Sequence, residues 1–151
     1  MRRKIMNNYI KWKDIKTASG TAEHIPDAIK QLNSPIAIDR DNAYWQIDNY
    51  AVVQSDLYEA AYYVIEPLVE LLEKPYSVDR IKPLRLLSEI ATGGGDSDII
   101  ELKDIHSGKG IFKSIHEACK IKISSLKYRI AQIVTKTEEE KEEKDFLMRN
   151  I

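Results

Sequence analysis

Three histidines, one cysteine and one glycine run are the residues of this chain whose types invite a chemical reading. His24, His106 and His116 are its only histidines. None stands in metal-ligand spacing with a carboxylate or a second histidine in the same turn. His116-Glu117 begins no HExxH pattern, so the zinc-protease reading fails. Cys119 is the single cysteine, which rules out an intrachain disulfide and a cysteine-based metal site. It lies among apolar residues at helical spacing and reads as a small core thiol. The run Gly93-Gly94-Gly95-Asp96-Ser97-Asp98 invites a phosphate loop or a calcium loop. A phosphate loop needs a Lys-Ser/Thr pair after its last glycine and a strand before it. A calcium loop needs oxygen ligands at alternating positions and a bidentate glutamate, and Glu101 comes too early. The run therefore reads as a flexible connection. Glu66, Glu70 and Glu73 are spaced by four and three and read as a solvated helix face, as do the charges from Glu138 to Asp145. The residues name no catalytic group, no metal, no cofactor and no small-molecule substrate, and the chain is read as not an enzyme.

A different chemistry is legible between positions 44 and 63. Tyr44, Trp45, Asp48, Tyr50, Asp56, Tyr58, Glu59, Tyr62 and Tyr63 crowd into twenty residues. Packing should consume Trp45 and one of Tyr62 or Tyr63. Tyrosines beyond the need of a core are common anchors at protein interfaces. The set Tyr44, Asp48, Tyr50, Asp56, Tyr58, Glu59 and Tyr62, with Asp96 and Asp98, is therefore read as a partner-binding surface. Its acidic members suit a basic partner. Lys103, Lys109, Lys113, Lys120, Lys122, Lys127 and Arg129 make a later region basic, which keeps nucleic-acid binding as a weaker alternative.

Composition bounds these readings. The formal net charge is −1, so no global field favours nucleic acid or an anionic membrane. Hydrophobic residues at 43% and charged residues at 31% describe a globular chain. Six glycines and five prolines suit long helices better than a turn-rich sandwich. The start Met1-Arg2-Arg3-Lys4 lacks the apolar run of a signal peptide, and no segment approaches the roughly 18 apolar residues of a membrane span. The expected location is the cytoplasm.

Periodicity supplies the elements. Residues 1–19 are read as a docking segment in which Ile5, Tyr9, Ile10, Trp12 and Ile15 can meet the domain. Ser19-Gly20-Thr21 is a break and N-cap. Ile25, Ala28, Ile29 and Leu32 mark a first helix face. A second helix spans 39–49. Ser55 or Asp56 caps a third, with Leu57, Ala61, Val64, Leu68 and Leu71. Ser77 or Tyr76 opens a fourth, with Val78, Ile81, Leu84, Leu87 and Ile90, which the glycine run ends. A loop follows, and Val52-Val53 and Ile99-Ile100 are too short to found a sheet. A long fifth helix, about 111–134, buries Ile115, Cys119, Ile123, Leu126, Ile130 and Ile133. Thr137 caps a charged terminal helix with Glu140 at capping-box spacing.

The first four helices repeat. Pro26 and Pro67 are 41 residues apart, and Leu32 and Leu72 are 40 apart. Both prolines are read as lying inside a helix ahead of aliphatic residues. Arg40-x-x-Ala43-x-x-x-Ile47 aligns with Arg80-x-x-Pro83-x-x-x-Leu87, again 40 apart. A kinked helix beside a straight one buries little alone, so stacked pairs would share one core.

Across 20–91 this pattern resembles the HEAT-repeat family of helix pairs. It departs at Asp39, which precedes the arginine where an aliphatic residue is usual, and at Pro83, where a small one is usual. The last pair lacks both the proline and the arginine. The resemblance implies an all-α fold: a short right-handed solenoid of about three antiparallel helix pairs, the last atypical. It implies one domain, 1–151: a docking segment (1–19), two repeat units (20–91), a loop (92–110) and a terminal pair (111–151). Stretches such as Thr17 to Pro26 and Asp56 to Ala61 also resemble small stand-alone bacterial HEAT-like immunity proteins. That resemblance implies a cytoplasmic toxin inhibitor whose partner is a cognate protein toxin, such as a basic nuclease domain. A general HEAT-like scaffold or regulator, and a helical nucleic-acid binder, are the alternatives.

Overall fold

The computed structural model describes residues 10–104 and 108–151. The readings of Ile5, Tyr9 and His106 lie outside them. The fold is mostly helical with two small two-stranded antiparallel sheets, which corrects the all-α expectation. One apolar core runs from Trp12 to Leu147.

A 3-10 turn at Trp12–Asp14 buries Trp12, and Ile15 follows it into the core. Gly20 takes a positive φ of 83° and closes a tight loop in which Thr17 donates from its hydroxyl to Gly20 O. Helix α1 (Ile25–Gln31) starts after this loop with Pro26 in its first turn. Pro26 is therefore a helix starter and not an interior kink: its missing N–H falls where no intrahelical bond is due. Helix α2 (Ala37–Ala51) packs on α1.

The chain then turns sharply. Strands β1 (Val52–Val53) and β2 (Asp56–Leu57) pair across Gln54-Ser55. Both turn residues have positive φ, 50° and 69°, which a two-residue hairpin of this hand demands and non-glycine residues resist. Ser55 and Asp56 thus belong to a hairpin rather than to a helix cap, and α3 (Glu59–Glu73) begins at Tyr58. Helix α3 is central and apolar nearly all round, with ten buried residues and Pro67 in its interior. It packs against α2, α4 and α5. Helix α4 (Ile81–Thr92) starts later than its apolar pattern suggests. Asp79 Oδ1 accepts from the N–H groups of Ile81 and Lys82 and stops the helix there, leaving Val78 exposed in the loop.

The two loops before α2 and α4 do the same thing. Arg40 donates to Ser34 O at 2.7 Å, and Arg80 donates to Lys74 O at 3.3 Å. Asn33 Oδ1 accepts from Val78 N at 2.8 Å. Lys82 bridges Asp41 at 3.0 Å and Asp79 at 3.2 Å. The loops are therefore joined side by side.

After α4 the glycine run is a strap, not a free loop. Asp56 forms a parallel bridge with Gly94. Leu57 N donates to Gly94 O, and Gly94 N to Ser55 O at 2.7 Å. A Cβ on Gly93 would lie 2.6 Å from Leu57 Cδ2 and 3.0 Å from Glu89 O. Beyond it, β3 (Ile100–Asp104) and β4 (Gly108–Phe112) pair in register, Ile100 with Phe112 and Asp104 with Gly108. The expected loop at 92–110 is thus partly a hairpin. Alternation sends Leu102 into the core and leaves Ile111 75% exposed, so each strand has too few inward apolar residues to announce itself.

The expected long fifth helix is two: α5 (Ile115–Ser125) and α6 (Lys127–Ala131). Ser125 bonds back to Lys122 O at 2.6 Å, a local competitor to helix continuation. The expected apolar face of Ile115, Cys119, Ile123, Leu126, Ile130 and Ile133 is buried throughout. Helix α7 (Glu138–Arg149) is capped by Thr137, which accepts from Glu140 N, as its capping-box spacing predicts, and it packs on α4.

Buried charges of opposite sign meet between α3, β3 and α5. Lys122 on α5 meets Glu66 of α3 and Asp104 of β3, both at 2.7 Å. Arg129 adds a 3.6 Å contact to Glu66 and two hydrogen bonds to Glu73. Glu66 is therefore an interior residue, not part of a solvated face.

Two outcomes follow for urea unfolding. Gly93→Ala should cost about 1–3 kcal/mol through overpacking, whereas Gly94→Ala, whose Cβ would meet nothing within 4 Å, should cost less than half as much. Lys122→Met should cost about 3–5 kcal/mol, because it removes the ammonium that two buried carboxyl groups share.

Candidate functional site

The structure scatters the expected binding set over three places. Tyr62 is 5% exposed; it donates to Asp104 at 3.2 Å and stacks edge-on with Tyr63. Glu59 and Tyr63 line a separate open cleft of about 520 Å³ with Asp14, Lys103 and Lys109. Tyr50 packs partly against the core, edge-on to His24 at 4.2 Å. His24 Nε2 in turn lies 2.9 Å from Gln46 O.

The third place is the most coherent. Tyr44 is 7% exposed, so it is a core residue and not a surface anchor. Its hydroxyl donates to Glu89 on α4. Trp45, expected in the core, is 54% exposed instead and stands edge-on to Tyr44 at 5.0 Å. The two exchange roles because α2 turns its 44 side, not its 45 side, toward α4. Asp48, one turn further, faces Glu89. Together Asp48, Val52, Gln54, Ser55, Glu89 and Thr92 line a pocket of about 240 Å³.

The rim of this pocket continues onto the remaining expected residues. Asp56 follows the Gln54-Ser55 turn and is exposed, and its bridge to Gly94 brings the strap, with exposed Asp96 and Asp98, to the same edge. Tyr58 is half-buried beside it. The strain at Gln54-Ser55 and the glycine strap thus assemble residues from three separate stretches.

The carboxylates of this edge differ from those that hold the internal cations. Lys122, Arg129, Arg85 and Lys82 are held by carboxylates: Arg85, for example, bonds Glu143 twice, at 3.2 and 3.0 Å. The region expected to be basic is therefore partly neutralised. Asp48, Asp56, Asp96 and Asp98 have no cation within ion-pair distance among the described residues. Burial first, and the adjoining Asp48 carboxyl next, raise the pKa of Glu89 to about 8; the Tyr44 hydroxyl and Arg85 pull the other way. Glu89 Oε2 is closed off from solvent, and the Glu89 side chain is hydrogen-bonded to the Asp48 carboxyl. Burial likewise pushes the Cys119 thiol up, which keeps it a poor nucleophile.

Sequence reasoning missed Glu89, Gln54, Ser55 and Thr92. Glu89 carries a weak signal: it is the one carboxylate in α4. Nothing local pairs it with Asp48, forty-one positions earlier.

The raised pKa fixes a sign. A carboxyl with a folded pKa near 8 binds its proton more tightly than the unfolded chain does. The stability it confers is full below about pH 4.5 and is lost as pH rises toward 8. Glu89→Gln, which stays neutral, should therefore gain on the wild type with rising pH. The difference in unfolding free energy should grow by about 1–2 kcal/mol between pH 5 and pH 9, the value expected for a half-exposed group after solvent screening. A flat difference would place the proton elsewhere.

Comparison of the chain with protein-family models, with curated proteins and with solved structures gave no match in any of the three.

Proposed function

We propose that the chain is a protein-binding inhibitor of the immunity class, which neutralises a toxin domain by covering its active site with a preformed surface. One observation carries the reading. The edge formed by α2, the β1–β2 turn and the glycine strap presents Asp48, Asp56, Asp96 and Asp98 without ion-pair partners among the described residues, while Lys82, Arg85, Lys122 and Arg129 are held in ion pairs elsewhere. Uncompensated carboxylates attract a basic partner and orient it. Trp45, exposed on α2 of the same edge, supplies a large apolar contact of the kind that dominates interface energetics. A nuclease domain, whose own groove is basic because it holds phosphates, is the partner class that fits.

The finer fold reading belongs with this proposal. Arg40 and Arg80 close their loops on carbonyls forty residues apart in the same way, and this supports two stacked HEAT-like helix pairs with an atypical third. Such a stack would hold the acidic edge in shape before the partner arrives.

The test begins with the neighbouring reading frame. A large secreted protein with a variable C-terminal domain would be the candidate toxin. Co-expression should rescue cells from that domain, and the two should co-purify. The variant Asp48→Asn/Asp56→Asn/Asp96→Asn/Asp98→Asn should bind at least tenfold more weakly, chiefly through slower association at low salt. A chain that neither binds nor rescues would end the immunity reading.

A further inference from the structure

We infer that the outer edge of β4 receives an extended, acidic segment of a partner protein, which adds to the β3–β4 hairpin as a third strand. This strand addition is independent of the function proposed above: it uses other residues and a partner segment of opposite charge.

Register shows which backbone groups are open. Lys103 N donates to the Tyr63 hydroxyl at 2.9 Å, so it points away from β4. Lys103 stands opposite Lys109, and in an antiparallel ladder both members of such a pair turn their N–H and C=O groups outward. Alternation carries this to Ile111, which stands opposite Glu101. The bonded pairs are then Leu102 with Gly110 and Ile100 with Phe112. Lys109 and Ile111 therefore present their N–H and C=O groups along the far side of β4, and none of the described residues is hydrogen-bonded to them there. The edge ends at Lys113, whose N–H is taken by Glu117 Oε2 at 2.9 Å.

The hairpin is attached by its other side. Tyr63 meets β3 at Lys103, Tyr62 and Lys122 hold Asp104, and Leu102 enters the core. Strand β4 is left outermost, with Gly108, Lys109 and Ile111 exposed. Open donors and acceptors at strand spacing match another extended backbone.

Charge selects which backbone. Lys109, Ile111 and Lys113 share one face of the hairpin. Lys109 has an exposed contact to Glu101 at 3.8 Å, a kind of pair that contributes little. Lys113 is exposed and has no ion pair among the described residues. A second copy of this chain fits poorly. Self-pairing through the outward residues sets Lys109 opposite Lys109, or opposite Lys113, or opposite Ile111 with the two Lys109 side chains on a diagonal. Like charges directly opposite are destabilising, and long side chains also reach the diagonal. Lysines on an edge thus hinder self-pairing and favour carboxylates. The segment that fits alternates acidic, aliphatic and acidic residues on this face: its carboxylates beside Lys109 and Lys113, its aliphatic side chain beside Ile111.

The experiment uses the full chain, amide hydrogen exchange read by NMR, and the peptide acetyl-TETVTET-amide as the probe. In the free chain the Lys109 and Ile111 amides should be about tenfold or more less protected than those of Gly110 and Phe112. Saturating peptide should slow Lys109 and Ile111 by about tenfold or more. The same peptide with N-methylated valine keeps every side chain and loses one backbone donor; it should bind markedly more weakly. The charge-reversed acetyl-TKTVTKT-amide should not bind. These comparisons are made on the wild type. Ile111→Pro removes an outward N–H that the β3–β4 ladder does not use, so it should keep the wild-type urea midpoint and lose the peptide. Lys109 and Ile111 amides already protected in the free chain would overturn the assignment. So would protection that grows with protein concentration as a dimer forms, equal binding of the N-methylated or charge-reversed peptide, or no slowing of these two amides at millimolar peptide.

Discussion

The buried contact of Lys122 with Glu66 and Asp104 is the interaction on which the rest of the molecule is arranged. Helix α3 packs against α2, α4 and α5, and Glu66 at its middle is 5% exposed. Removing that charge from solvent is costly unless a cation with good geometry meets it. Lys122 does so at 2.7 Å and holds Asp104 at the same distance. One ammonium therefore fixes α5 on α3 and pins the β3–β4 hairpin to both. Tyr62 adds its hydroxyl to Asp104, so the hairpin is attached by polar bonds where it has little apolar surface to offer.

A second arrangement works at the other end of α3. Arg80 is 2% exposed and spends its donors on the carbonyls of its own loop, and Arg40 does likewise with Ser34. Each arginine replaces the water that a loop carbonyl would otherwise need. Asp79 then caps α4 and pairs with Lys82, which also reaches Asp41 on α2. The relative position of α2 and α4 is set by these contacts at their N-termini. Further along the same two helices the fit brings Tyr44 and Asp48 against Glu89. The carboxyl pair is thus a consequence of how the helix starts are locked together.

The glycine strap is the third constraint. A Cβ on Gly93 would press on the Leu57 side chain, where the strap pairs with β2. The turn at Gln54-Ser55 holds two non-glycine residues at positive φ, an unfavourable conformation that the hydrogen bonds of the strap over-determine.

The helical nature of the chain, the core face of 115–133, the burial of Cys119 and the Thr137 cap were all legible in the sequence, because each depends on residues within one or two turns of one another. Arg40 and Arg80 stand forty residues apart in the sequence, and each donates to the carbonyl six residues before it. The rest was decided by tertiary structure. Pro26 reads as an interior proline until the loop closed by Gly20 shows where α1 begins. Tyr44 and Trp45 are adjacent and equally apolar, and only the position of α4 determines which one is buried. Glu66 looks like a surface residue beside Glu70 and Glu73 until α5 brings Lys122 to it. The glycine run reads as a flexible loop because its partner, Leu57, lies thirty-six positions away from Gly93. Periodicity reports which way a side chain faces along its own element. It carries no information on what another element places opposite, and the carboxyl pair of Asp48 and Glu89 exists only across that gap.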